Sequence, residues 1–77
     1  VKKTIYSDEY GKLIEWLKAK RIAKGLTQRD LAMLLECDNA TVARIETCQR
    51  RLDLVEYVQI CEFLGCDPAE GLKVVSG

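Results

Sequence analysis

Residues 28–47 read QRDLAMLLECDNATVARIET. The stretch reads as two short helices joined by a tight turn. Thr27 is a good N-cap and Asp30 follows three residues later, the capping-box arrangement with Asp in place of the usual Glu or Gln. Leu31, Leu34 and Leu35 then repeat at helical spacing. Asp38 is a second N-cap residue and opens the second helix. At about 100° per residue, Val42, Ile45 and Glu46 fall on one side of it. The other side carries Ala40, Ala43, Arg44 and Thr47, with Asn39 at the leading end. A helix apolar behind, and small and polar in front, suits insertion into a groove. Its two alanines allow close approach, and Asn and Arg are the side chains that contact adenine and guanine edges in bidentate fashion.

Upstream, Ser7 is a plausible N-cap, and Asp8 and Glu9 suit a first turn. The spacing predicts a helix over 8–24, stopped by Gly25. Its apolar side holds Tyr10, Leu13, Ile14 and Leu17, with Arg21 in the same sector. Trp16 projects roughly 110° away, where side packing is the simplest role. Residues 1–7 are expected to be an N-terminal arm, either free or packed across the first helix, and residues 8–77 the domain proper. The motif helices are expected over 28–35 and 39–47, followed by a basic loop bearing Arg50 and Arg51. Asp53 caps a helix over 54–64, its apolar stripe read as Leu54, Val58, Cys61 and Leu64, and Gly65 ends it. Asp67 and Pro68 announce a short helix over 68–73, with Val74 and Val75 as an apolar end. There are no repeats and no low-complexity segments.

Seventy-seven residues make one small domain. A domain of this size buries only about 60% of its chain surface, so caps or a partner subunit matter to its stability. The formal net charge is zero, but the halves differ. Residues 1–51 hold eleven basic groups against seven acidic ones, a balance of +4, and residues 52–77 hold one against five, a balance of −4. The basic half carries the two-helix motif, which favours a polyanionic partner, although a solvated mixed-charge surface has the same composition. No apolar run is long enough for a membrane span and no signal peptide is legible, so the expected location is the cytoplasm.

The four cysteines follow C-x10-C-x12-C-x4-C, which fits no zinc pattern, and there is no histidine. Without a Gly-rich phosphate loop or a nucleophile–base pair, an enzyme is not expected, and no cofactor is implied. Cys48 lies in the basic loop; the favoured reading is a passive, tolerated thiol, and the alternative is a regulatory one whose pKa Arg50 and Arg51 would lower.

The motif and its flanks resemble the helix-turn-helix of the lambda repressor and Cro family, the Xre-type regulators. Gln28 matches the family's first-position Gln, and Ala32 the small residue where the two helices touch. Val42 and Ile45 match the buried apolar pair, and Glu46 the closing acid. The flanks KRIAKGLTQ and FLGCDPAE fit as well, so the resemblance covers roughly residues 13–72. Cys37, Cys61 and Cys66 sit where the family has apolar residues. The sequence departs from the pattern twice: Glu36 stands where the turn usually has Gly, and Cys48 where Gly usually follows the second motif helix.

The resemblance implies an all-α, five-helix lambda-repressor-like DNA-binding domain. Its second motif helix would enter the major groove of an operator. Asn39, Ala40 and Arg44 are then the base-reading candidates, with Thr41 and Thr47 at the margin. Gln28, Arg29, Lys20, Arg50 and Arg51 are the phosphate candidates. Arg21 and Glu46, both on the buried sides of their helices, match an ion pair of lambdoid repressors. Dimerisation would place two reading helices about 34 Å apart, and Leu72, Val74 and Val75 are the candidate interface with the end of the fourth helix. A small dimeric repressor is the reading favoured. The alternative is an antitoxin or protein-interaction module that holds a protein partner through the acidic half.

Overall fold

A computed structural model describes residues 8–76. They form five helices: α1 (Asp8–Ala23), α2 (Gln28–Leu34), α3 (Asn39–Glu46), α4 (Leu54–Leu64) and α5 (Pro68–Ser76). The expected N-terminal arm lies outside the described residues. The helix starts follow the caps. Thr27 and Asp30 exchange hydrogen bonds in a full capping box, as do Asp53 and Glu56, and the Asp38 carboxylate accepts from the Thr41 N–H. Each cap contributes about 1 kcal/mol.

The ends of α1 to α4 share one device. A residue with positive φ follows the helix, and the next N–H reaches back to the carbonyl five residues earlier. The bonds run from Leu26 to Arg21, Cys37 to Ala32, Gln49 to Arg44 and Cys66 to Cys61, at 2.8–3.1 Å. The positive-φ residues are Gly25 and Gly65 in two cases, but Glu36 (φ 56°) and Cys48 (φ 61°) in the others. The two departures from glycine thus sit in the left-handed region and carry its strain, about 1 kcal/mol each. The fold accepts this because the rest of each turn is fully bonded.

α1 supplies Ile14 and Leu17 to the main core, α3 supplies Ile45, and α4 supplies Tyr57, Ile60, Cys61 and Leu64. A second cluster of Leu31, Ala32 and Val42 locks α2 against α3. α5 packs along α1. Gly71 makes that close approach possible: a Cβ there would meet the Tyr57 hydroxyl and lie 2.7 Å from Trp16 Cζ3. Trp16 therefore seals the α1–α5 seam.

Three expectations need correction. α4 buries Tyr57, Ile60, Cys61 and Leu64, not the stripe read from Leu54 and Val58. Leu54 is 71% exposed and Val58 37%, while Tyr57 takes the inward position, its ring buried and its hydroxyl donating to the Pro68 carbonyl. Leu34 is also exposed, since the short α2 turns only Leu31 and Ala32 fully inward. Finally, α5 continues to Ser76, so Val74 and Val75 are helical and half-buried rather than a trailing end.

Candidate nucleic-acid interface

α3 is positioned from behind. Val42 and Ile45 are buried against α2 and the main core. Glu46 sits at the centre of a polar brace. Arg21 Nε donates to Glu46 Oε2 at 2.7 Å and Nη2 to Oε1 at 3.1 Å, and Gln28 Nε2 donates to Oε1 at 2.9 Å. Arg21 Nη1 also donates to the Leu26 carbonyl at 2.6 Å, tying the α1–α2 turn into the same network. Three elements are thereby fixed to the last turn of α3. Among the described residues no buried side-chain N or O lacks a hydrogen-bond partner.

The front of α3 presents Asn39, Ala40, Arg44 and Thr47, all exposed, with Ala43 half-buried between them. Thr41 stands apart. It is half-buried beside a cleft of about 80 Å³ lined by Leu35, Cys37 and Ile45, and its hydroxyl donates to Asp38 at 2.6 Å. That bond holds the Asp38 carboxyl below its ordinary range, with help from the Thr41 N–H. The Thr47 hydroxyl donates to the Ala43 carbonyl at 2.9 Å, which leaves its methyl and its lone pairs for a ligand.

Not every basic residue is brought to this face. Gln28 and the exposed Arg29 lie in the first turn of α2. Gln28 uses one amide N–H on Glu46, so one remains for an anion. Lys20 faces elsewhere: its Nζ lies over the Trp16 ring, 5.6 Å from the centroid, and it lines an open cleft with Lys24, Asp67 and Glu70. One position from Arg21 on a helix means about 100° of rotation, which turns Lys20 toward α5 while Arg21 meets α3. Arg50 is in the loop but grips Glu56, from Nη1 to Oε1 at 3.0 Å and from Nη2 to Oε2 at 2.9 Å. Arg51 is exposed.

The sequence reading missed Glu56. The spacing Asp53-x-x-Glu56 was a visible capping box, but its second use, on Arg50, depends on the path of the intervening loop. That loop is pinned by Tyr10, whose hydroxyl accepts from the Leu52 N–H at 3.0 Å. The environment of Cys48 fits the passive reading and not the regulatory alternative. Burial raises its thiol pKa, with Glu15 adding to the effect, so neighbouring arginines do not activate it. Its side chain packs against the main core instead. Among the described residues no group of three or more His, Cys, Asp or Glu is placed to hold a metal, and no helix is long and apolar enough to cross a membrane.

A helix-turn-helix family model matches residues 17–71. No curated protein sequence matches the chain. Among solved structures, an XRE-family like protein from Pseudomonas syringae pv. tomato is 34% identical, with a TM-score of 0.84 over 95% of this chain and 89% of that one. Two structures of the clp gene regulator ClgR from Corynebacterium glutamicum, each 22% identical, share the fold. Their TM-scores are 0.80 and 0.79, each over 92% of this chain, and over 76% and 92% of their own chains. With most of its length matched on both counts, and its α2–α3 pair built as that pattern requires, the chain belongs to the XRE family of helix-turn-helix proteins.

Proposed function

We propose that the protein is a sequence-specific DNA-binding transcription regulator of the cytoplasm, a homodimeric repressor that occupies its operator through α3. One observation carries this reading: α3 has a small, polar, exposed front of Asn39, Ala40, Arg44 and Thr47 on a rear locked by the Arg21–Glu46–Gln28 brace. A reading helix must reach base edges without giving way, and an interior fixed by charge-assisted hydrogen bonds meets that need. Arg44 reads guanine, Asn39 adenine, and Ala40 a thymine methyl. Gln28, Arg29 and Arg51 hold phosphates.

Affinity from one such module is weak, which is the reason for a second copy. Leu54 at the start of α4 and Leu72 on α5 line one open cleft, and together with the exposed Val55 and Val58 they supply apolar surface that supports a dimer, while Val74 and Val75 are half-buried. This shifts the interface from the end of α4 to its start. The protein-interaction alternative would use the acidic second half. Glu56 is paired with Arg50, which removes one of the five acids from that face; Asp53, Glu62, Asp67 and Glu70 stay exposed.

Selection of bound duplexes from a random pool is the direct test. The expected product is a palindrome whose half-sites lie one helical turn apart. Recovery of no sequence above background defeats the reading. Sedimentation at micromolar concentration, with and without that duplex, tests the dimer. A monomer under both conditions, or a Val55→Glu variant that assembles like wild type, would remove that part of the proposal.

A further inference from the structure

Glu56 occupies the guanidinium of Arg50 in the α3–α4 loop. Both of its oxygens are used: Oε1 accepts from Arg50 Nη1 at 3.0 Å and from the Asp53 N–H at 3.1 Å, and Oε2 accepts from Arg50 Nη2 at 2.9 Å. The carboxylate is anchored in the first turn of α4 by the capping box, so it does not swing away from the loop. The arginine is anchored as well, because its backbone N–H reaches the Arg44 carbonyl at 3.2 Å and its Nη1 also approaches the Arg51 carbonyl at 3.4 Å. Yet the pair is not sealed: the side chains are 40% and 29% exposed. Solvent, and hence a phosphate, has access to the arginine.

We propose that Glu56 is a positioning residue that holds Arg50 off DNA phosphates and so sets the electrostatic strength of duplex binding. The proposal rests on the DNA-binding reading above. Its physics is competition between two anions. A carboxylate in the same turn of chain is always present, is preorganised, and takes the fork in bidentate form. The pair is net neutral, so it displaces few counterions from DNA, whereas a lone arginine on a phosphate displaces close to one. The loop beside the reading helix is therefore less sticky than its sequence, Cys-Gln-Arg-Arg, suggests. Withholding that contact lowers affinity for all duplexes alike, so it sets the strength and salt dependence of binding and not its sequence preference.

Glu56→Gln isolates the charge. Gln serves the same third position of a capping box, so α4 keeps its start. Binding of wild type, Glu56→Gln, Arg50→Gln and the double variant to a random duplex is titrated with salt. Glu56→Gln should steepen the log–log slope by about one unit. Arg50→Gln alone should leave the wild-type slope nearly unchanged, and it tests the same claim without touching α4. In the double variant the gain from Glu56→Gln should vanish. A gain that persists there means that Glu56 acts only as a distant negative charge, which overturns the proposal. So does an unchanged slope in Glu56→Gln, or a slope flattened by a full unit in Arg50→Gln. Failure of the DNA-binding reading looks different, because then wild type shows no salt-dependent binding at all.

Discussion

Arg21 and Glu46 are 25 residues apart in the chain and 2.7 Å apart in the fold, with side chains only 9% and 7% exposed. The bond joins the last turn of α1 to the last turn of α3 and is bidentate. Removing one partner of such a buried pair strands the other and costs about 3–5 kcal/mol. Arg21→Met should therefore lower the urea midpoint sharply, and it also leaves the Leu26 carbonyl without its 2.6 Å donor. Lys18→Met, one turn earlier in α1, serves as the control and should be nearly neutral. Equal midpoints for the two variants would show that the pair contributes no net stability.

Gly71 and Gly11 should respond in opposite directions to the same change. In Gly71→Ala the new methyl collides with the Tyr57 hydroxyl and the Trp16 ring, which is 2.7 Å away at Cζ3. Overpacking of this kind costs about 1–3 kcal/mol. A Cβ at Gly11 meets nothing within 4 Å, and the residue is inside α1, so Gly11→Ala should gain up to about 1 kcal/mol. Thermal melts of the two variants check both signs.

The helix-turn-helix was legible because each of its signals is local. Thr27, Asp38 and Asp53 announce helix starts by chemistry that depends on neighbours three residues away. The left-handed positions at Glu36 and Cys48 were legible through the pattern that usually places Gly there. What failed was the facing of α4. Leu54, Val58 and Leu64 fit an apolar stripe as well as Tyr57, Ile60 and Leu64 do, and the choice between them is made by α1 and α5, which the periodicity of one helix does not contain. The Arg50–Glu56 pair was hidden for the same reason, since the loop between them had to be closed before the two could meet.

The two strained turns make a graded pair. Glu36 is exposed and its φ of 56° is a glycine conformation, so Glu36→Gly should stabilise by up to about 1 kcal/mol. The gain is offset in part by the freedom that glycine adds to the unfolded chain. Cys48→Gly should gain less, because the Cys48 side chain packs on the main core and its contacts are lost. Urea midpoints in the order Glu36→Gly above wild type and above Cys48→Gly fit this account. The reverse order does not.

Acid should weaken the fold through three carboxyls. Hydrogen bonds from Thr27 hold Asp30 below its ordinary pKa, bonds from Thr41 do the same for Asp38, and Arg50 does so for Glu56. A carboxyl with a depressed folded pKa contributes stability that is complete above its unfolded value, about 4, and is lost as pH falls through the folded one. Stability should be flat from pH 7 to about pH 5 and fall below about pH 4. Asp38→Asn retains an N-cap acceptor without a titrating charge, so its stability should depend less on pH in that range. An unaltered acid limb would assign the loss to other groups.

Arg44 carries the sharpest test of base reading by α3. It is exposed on the front of α3, and its backbone carbonyl accepts from the Gln49 and Arg50 N–H groups while its side chain faces outward. Packing does not need that side chain, so Arg44→Ala should barely move the melting temperature. If it forks onto guanine, its loss should cost about 1–3 kcal/mol of binding and relax the preference at one base pair of each half-site. Arg29→Ala and Arg51→Ala should instead weaken all duplexes alike and flatten the salt slope by about one unit each. Measuring the three variants on the selected operator and its single-base changes separates reading from attraction. Should Arg44→Ala weaken every duplex by one common factor, Arg44 touches phosphate. Discrimination would then fall to Asn39 and Ala40, which stand in the first turn of α3, where a helix entering a groove end-on comes nearest the bases.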